Sequence, residues 1–282
     1  MSTALAVLHE CLAAQALHTA DPTSGYLDQL IERELCAAAG LRVSNKDIVL
    51  APPVFTDHVG RRHTDIKIPV RVKYNTERTS QATGKPVRGF VDVKLRRGVI
   101  EIATEKAGDL VTVGGVGFVP RSSLYFTVYK STLVHEMWHI LTIVCGIPRF
   151  KSAIERNRVP GETPEAYQHR YRTSEGEVQS YTHQLTYVLT LRLEEKLARM
   201  STHPRMSKSD IHERDVLLTG TPRELLDTAA ELKILPKKLA PWVETIYNEK
   251  TPESVRAILE SEVLKMQSVL RAKYRDVVYY GA

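Results

Sequence analysis

The sequence predicts an α+β protein, a mixed or antiparallel β-sheet packed on one buried helix and followed by a mainly helical C-terminal part. Three observations carry this reading. Between residues 48 and 128, apolar and polar residues alternate with period two and many are β-branched, as half-buried strands require. The stretch that follows, Ser131–Leu141 (STLVHEMWHIL), is mainly apolar, carries no ionisable residue besides His135, Glu136 and His139, and is long enough for a core helix. From residue 174 almost to the end, apolar residues recur at helical spacing.

Taken in order, residues 3–19 place Leu5, Leu8, Leu12 and Ala16 on one helical face. A second helix over 26–39 carries Leu27, Leu30, Ile31 and Leu35 and stops at Gly40, so residues 1–40 are expected to form a helical cap. Strands are expected at 66–74, 87–95, 99–103, 111–113 and 124–128. Pro69 has no N–H to give a ladder, which predicts an edge or a bulge for its strand. Residues 75–85 read as a polar loop or flap, and Arg96-Arg97-Gly98 and Gly114–Gly117 as turns. The motif helix is expected to start near Lys130 and to end at Gly146-Ile147-Pro148. An exposed basic connection over 149–173 leads to a long helix at 174–200, closing a core domain over 41–200. Helices at 210–218, 222–233, 236–248 and 252–275 make up a C-terminal region, 201–282, expected to pack on that core. The apolar tail Val277–Tyr280 is expected to dock back on the body.

The 282 residues, 43% hydrophobic and 26% charged, have the balance of a soluble globular protein. A net charge of +6 permits an acidic or nucleic-acid partner without establishing one, although basic stretches occur at Arg149–Lys151, Arg156–Arg158 and Lys237-Lys238. Cys11, Cys36 and Cys145 have no paired spacing and read as reduced thiols. No basic n-region opens the chain, and the apolar run 140–147 is too short for a bilayer. A cytoplasmic protein without a membrane partner is therefore expected, and a phage or a host origin fits equally. Nothing in the sequence speaks to oligomeric state.

Within the motif helix, His135, Glu136 and His139 form H-E-x-x-H. Residues i and i+4 share a helical face, so both imidazoles can reach one zinc ion, and Glu136 can act as general base on a metal-bound water. A bare match arises by chance in about 3% of chains of this composition, so the motif is informative. Catalytic zinc needs a third protein ligand. The metzincin extension would put a glycine and a histidine where Thr142 and Cys145 stand, and fails. His169, His183, Glu175 and Glu177 remain. On the helix after residue 174, Val178, Tyr181, Leu185, Val188 and Leu189 define a core-facing stripe. Glu177 lies about 70° from its centre and Glu175 about 90° on the other side, so one metal cannot take both.

Over residues 130–190 the chain resembles the gluzincin group of zincin metallopeptidases, whose second helix carries a metal-binding glutamate in patterns such as E-A-x-x-D. Aligning Glu177–Tyr181 with that pattern implies Glu177 as third ligand beside His135 and His139. Val178 stands where the group has a small residue, and Tyr181 where an acidic residue often braces a histidine. The resemblance implies a zincin-like fold, one Zn2+ ion, a protein or peptide substrate, and a sheet edge that aligns the substrate above the motif helix. The strand guesses for that edge are 99–104 and 124–128. Tyr181, His183, Tyr171, His169 and Arg172 are candidates for stabilising the oxyanion, with Tyr181 taken as catalytic beside Glu136. Two other readings accompany this one. One is a DNA-associated or regulator-cleaving zincin, ImmA/IrrE-like or SprT-like, though the histidine-glycine ligand loop of the latter is missing. The other is a non-catalytic metal-binding structural or phage virion protein.

Overall fold

A computed structural model describes residues 26–27, 29–31, 45–56, 60–74, 89–94, 96–102, 110–113, 117–120, 123–146, 159–202 and 207–274. The fold is mixed α+β and mostly helical. Among the described residues the strands are β1 (Lys46–Leu50), β2 (Phe55–Thr56), β3 (Arg62–His63), β4 (Ile68–Tyr74), β5 (Gly89–Lys94), β6 (Arg97–Ile102), β7 (Leu110–Val113) and β8 (Gly117–Pro120). The helices are α1 (Ser123–Val144), α2 (Pro164–Arg172), α3 (Glu175–Thr202), α4 (Lys208–Thr219), α5 (Pro222–Glu231), α6 (Ala240–Ile246) and α7 (Glu253–Tyr274). The chain divides into two compact units, residues 1–184 and 185–282, with the division falling inside α3.

The first unit holds a four-stranded sheet of order β1-β4-β6-β5, together with the β2-β3 and β7-β8 pairs. Only β4 and β6 run parallel; β1-β4 and β5-β6 are antiparallel. The period-two pattern works as expected. Ile48, Leu50, Ile68, Val70, Val72, Ile100 and Ile102 are buried, while Asp47, Val49, Lys67, Pro69 and Arg71 face solvent. α1 packs on β5 and β6. Gly98 of β6 permits that approach, because a methyl group there would lie 2.7 Å from Ile140 Cδ1.

Several expectations are corrected. Residues 124–128 are not a strand but belong to the first turns of α1, which starts at Ser123 rather than near Lys130. A run that is apolar at nearly every position has no diagnostic period, and here the helix extends backward through it. Pro69 does not mark an edge, since β4 lies inside the sheet. It pairs with Val49 of β1, and the β6 ladder starts one residue later at Val70, so the missing N–H deprives no partner there. The turn expected at residues 96–98 sits between Lys94 and Arg97, with Arg96 at φ 60°. Residues 164–172 are helical: Thr163 caps α2 by accepting from the Ala166 N–H at 3.1 Å, and Pro164 opens it. The helix expected at 236–248 is shorter, Ala240–Ile246. Residues 3–19, the loop at 75–85, residues 114–116, the basic runs at 149–151 and 156–158, and the tail lie outside the described residues. Of the second N-terminal helix only the start is described. There the Tyr26 hydroxyl donates to the Val49 carbonyl at 3.1 Å and accepts from the Ala51 N–H at 2.7 Å.

The second unit is helical. Leu217, Leu225, Leu226, Trp242, Val243, Ile246, Leu259, Val263 and Leu270 form its core, and α7 packs with α4 and α5. Capping boxes Ser207/Asp210 and Thr221/Glu224 open α4 and α5. The carbonyls that end α4 are met from α7: Gln267 Nε2 donates to Leu217 and Gly220 at 3.3 and 3.0 Å, and Arg271 Nε to Leu218 at 3.0 Å. Among the described residues no helix is long and apolar enough to cross a membrane.

Candidate metal centre

Every residue from Lys130 to Thr142 is buried, polar ones included. Groups such as His135, Glu136 and His139 are removed from water only where something else satisfies them. The i, i+4 spacing stacks His135 over His139, and their Nε2 atoms approach to 2.9 Å with the rings 87° apart. From the start of α3, Glu177 enters the same space, wholly buried. Its Oε1 lies 3.4 Å from His139 Nε2 and its Oε2 3.6 Å from His135 Nε2. Among the described residues, His135, His139 and Glu177 are the one group of metal-ligating side chains that converges.

The donor set can be tested against a cation. Zinc–nitrogen and zinc–oxygen bonds in a tetrahedral site separate their ligand atoms by about 3.3–3.6 Å. Both carboxylate distances fall in that range, and the Nε2–Nε2 distance lies a few tenths below it. Two imidazoles and one carboxylate suit zinc and also ferrous iron. The group can therefore hold a metal ion, and its chemistry leaves the element open.

The environments of the two histidines differ. His139 Nδ1 is 3.0 Å from the Ser180 hydroxyl, with both residues fully buried. Among the described residues, His135 Nδ1 is buried and has no hydrogen-bond partner. Its ring instead meets the half-buried Tyr181 edge-on, centroids 4.5 Å apart at 65°. Tyr181 thus contacts the first histidine through its ring.

Glu136 is buried and is not one of the three converging ligand residues. Its carboxylate packs against Gly89 of β5 so closely that a methyl group there would sit 2.9 Å from both Glu136 Cδ and Thr132 Cγ2 and would overlap Oε1. The glycine is what allows the end strand of the sheet to reach the acid. The remaining histidine candidates do not join the cluster. His183 stacks on Trp138, rings parallel within 1° and centroids 3.6 Å apart, with Phe55 against the same indole at 5.1 Å. His169, Tyr171 and Arg172 are half-buried on the last turn of α2, and His169 is not among the converging ligand residues. Glu175 is the first residue of α3, and its side chain lies outside the described residues. Sequence reasoning missed Ser180 and Gly89. Ser180 had a signal, since it lies three residues from Glu177 on the same helical face. Gly89 had none, because only the packing of β5 on α1 gives it a role.

Comparison with family models, curated proteins and solved structures gives no match to this chain.

Proposed function

We propose that this protein is a zinc-dependent metallopeptidase of zincin-like architecture that hydrolyses peptide bonds in a protein substrate. The observation that carries the reading is the convergence of His135 Nε2, His139 Nε2 and Glu177 from two helices distant in sequence, within a buried setting. The donor set alone also fits iron. A carboxylate following His135 directly, buried on the same helix, favours hydrolysis, because a structural site has no use for it.

His135, His139 and Glu177 would hold the ion, which when bound makes a coordinated water acidic and polarises a carbonyl. Glu136 takes the proton from the attacking water and delivers it to the leaving amine, a general acid–base contribution of about 10²–10⁴-fold. Tyr181, beside His135, offers a phenolic donor for the oxyanion. The substrate shelf in this reading is β5. The two strand guesses made from sequence do not serve: β6 is an inner strand, and residues 124–128 are helical. β5 ends the four-stranded sheet, and its Gly89 touches Glu136, so a peptide added along it would pass the base.

The test is proteolysis, self-cleavage included, by zinc-loaded wild type and by Glu136→Gln. The reading expects equal zinc in both proteins and cleavage in the wild type alone. Cleavage that survives in Glu136→Gln would sink it.

A further inference from the structure

The two histidines are held by different means, and the difference singles out a residue that the motif does not contain. Ser180 and Glu177 lie three apart on α3, so one helical face presents both to α1. Glu177 meets the Nε2 side of His139 at 3.4 Å, while Ser180 Oγ meets its Nδ1 side at 3.0 Å. None of the three is exposed to any extent. The ring is thus gripped on both nitrogens from a single helix.

We propose that Ser180 is a positioning residue for the metal centre. This rests on the zinc reading above. The Nδ1–H of His139 donates to Ser180 Oγ, which fixes the tautomer with a bare Nε2 lone pair facing His135 and Glu177. The opposite polarity, with Ser180 donating to Nδ1, would put a proton on Nε2, and that proton would serve the 2.9 Å contact to His135 in a metal-free network. The tautomer of His139 therefore separates a metal centre from a hydrogen-bonded core, and in the metal-binding tautomer the Ser180 oxygen is the acceptor that holds the ring. His135 has no such partner on Nδ1 among the described residues, so its ring orientation depends on Tyr181 and on the metal. His139 and Glu177 form the preorganised half of the site; His135 completes it.

The experiment measures zinc affinity by competition with a chromophoric chelator for full-length wild type, Ser180→Ala and Ser180→Thr, with circular dichroism to check folding. Histidine ¹⁵N NMR of the zinc-loaded wild type reads the tautomer. Outer partners of this kind change metal affinity by about 10–100-fold. The proposal expects a loss in that range for Ser180→Ala with unchanged helicity, a smaller loss for Ser180→Thr, and His139 protonated on Nδ1. A zinc-binding wild type with equal affinity in a folded Ser180→Ala overturns the role of Ser180 and leaves the zinc reading standing. His139 protonated on Nε2 in the presence of zinc overturns it as well. Absence of zinc binding by the wild type overturns both. Should Ser180→Ala fail to fold, Ser180→Cys takes its place, and a zinc affinity equal to wild type in that variant overturns the role of Ser180.

Discussion

The motif helix and the C-terminal helices treat polar groups in opposite ways. In α4–α7 polar side chains sit at helix ends or at the surface, with Gln267 of α7, which meets the α4 carbonyls, as the buried exception. Examples are the boxes at Ser207 and Thr221 and the exposed ion pairs of Arg223 with Asp227 and Glu244. The core beneath them is apolar, built on Trp242, Leu225 and Leu259. In α1 and the start of α3, by contrast, His135, Glu136, His139, Glu177 and Ser180 are all buried. A chain optimised for stability alone would place hydrophobic residues there, because buried ionisable groups rarely improve stability over well-packed apolar ones. The contrast fits the proposal that the motif region binds a metal ion, while the C-terminal helices rest on an apolar core.

That comparison can be broken by mutation. The largest expected effect is in the helical unit, where Trp242→Ala should lower unfolding free energy by about 3–5 kcal/mol in denaturant titration. A much smaller value would mean that the apolar core does not hold that unit together. Next comes the metal: at a free zinc concentration near 100 times Kd, binding should stabilise the wild type by about 2.7 kcal/mol and Glu177→Ala not measurably. Equal stabilisation of both proteins, read from thermal melts with and without zinc, would remove Glu177 from the site. Gly89→Ala should then keep its zinc but lose about 10²-fold in kcat/KM, since the new methyl displaces the Glu136 carboxylate. Unchanged kcat/KM would show that Glu136 has room to spare.

The smallest effect belongs to the surface of the helical unit. Loss of the Thr221 cap in Thr221→Ala should destabilise by about 1 kcal/mol at neutral pH. The Thr221 backbone N–H and hydroxyl hold the Glu224 carboxyl below its ordinary pKa. A depressed carboxyl adds stability above its unfolded pKa and loses it as pH falls through the folded one. The gap between wild type and Thr221→Ala should therefore narrow in acid, and a gap independent of pH would contradict the capping box.

Much of the fold was legible because its elements follow local rules. Strands β4, β5 and β6 came from period two, and α3, α4, α5 and α7 from helical spacing and caps. What failed was non-local or masked by uniform composition. Residues 124–129 are apolar at all but Thr127, so their helix had no clear period to show. The place of Pro69 inside the sheet depends on where β6 begins to pair, which no local pattern encodes. α2 could have been read, since Thr163-Pro164-Glu165 is a helix start, but the basic residues around it suggested a connection. At the candidate site the same split holds. His135 and His139 are fixed by spacing on one helix, whereas choosing Glu177 over Glu175, His169 or His183 required knowing how α3 faces α1.

The measurement that bears most directly on the account is the zinc content of the purified chain and of its single variants, read by elemental analysis after dialysis against trace zinc. The account predicts one zinc per wild-type chain, none in His135→Ala, His139→Ala or Glu177→Ala, and one each in Glu136→Gln, His169→Ala and His183→Ala. A wild type without zinc, or a Glu177→Ala that keeps it while His183→Ala or His169→Ala loses it, would contradict the ligand set.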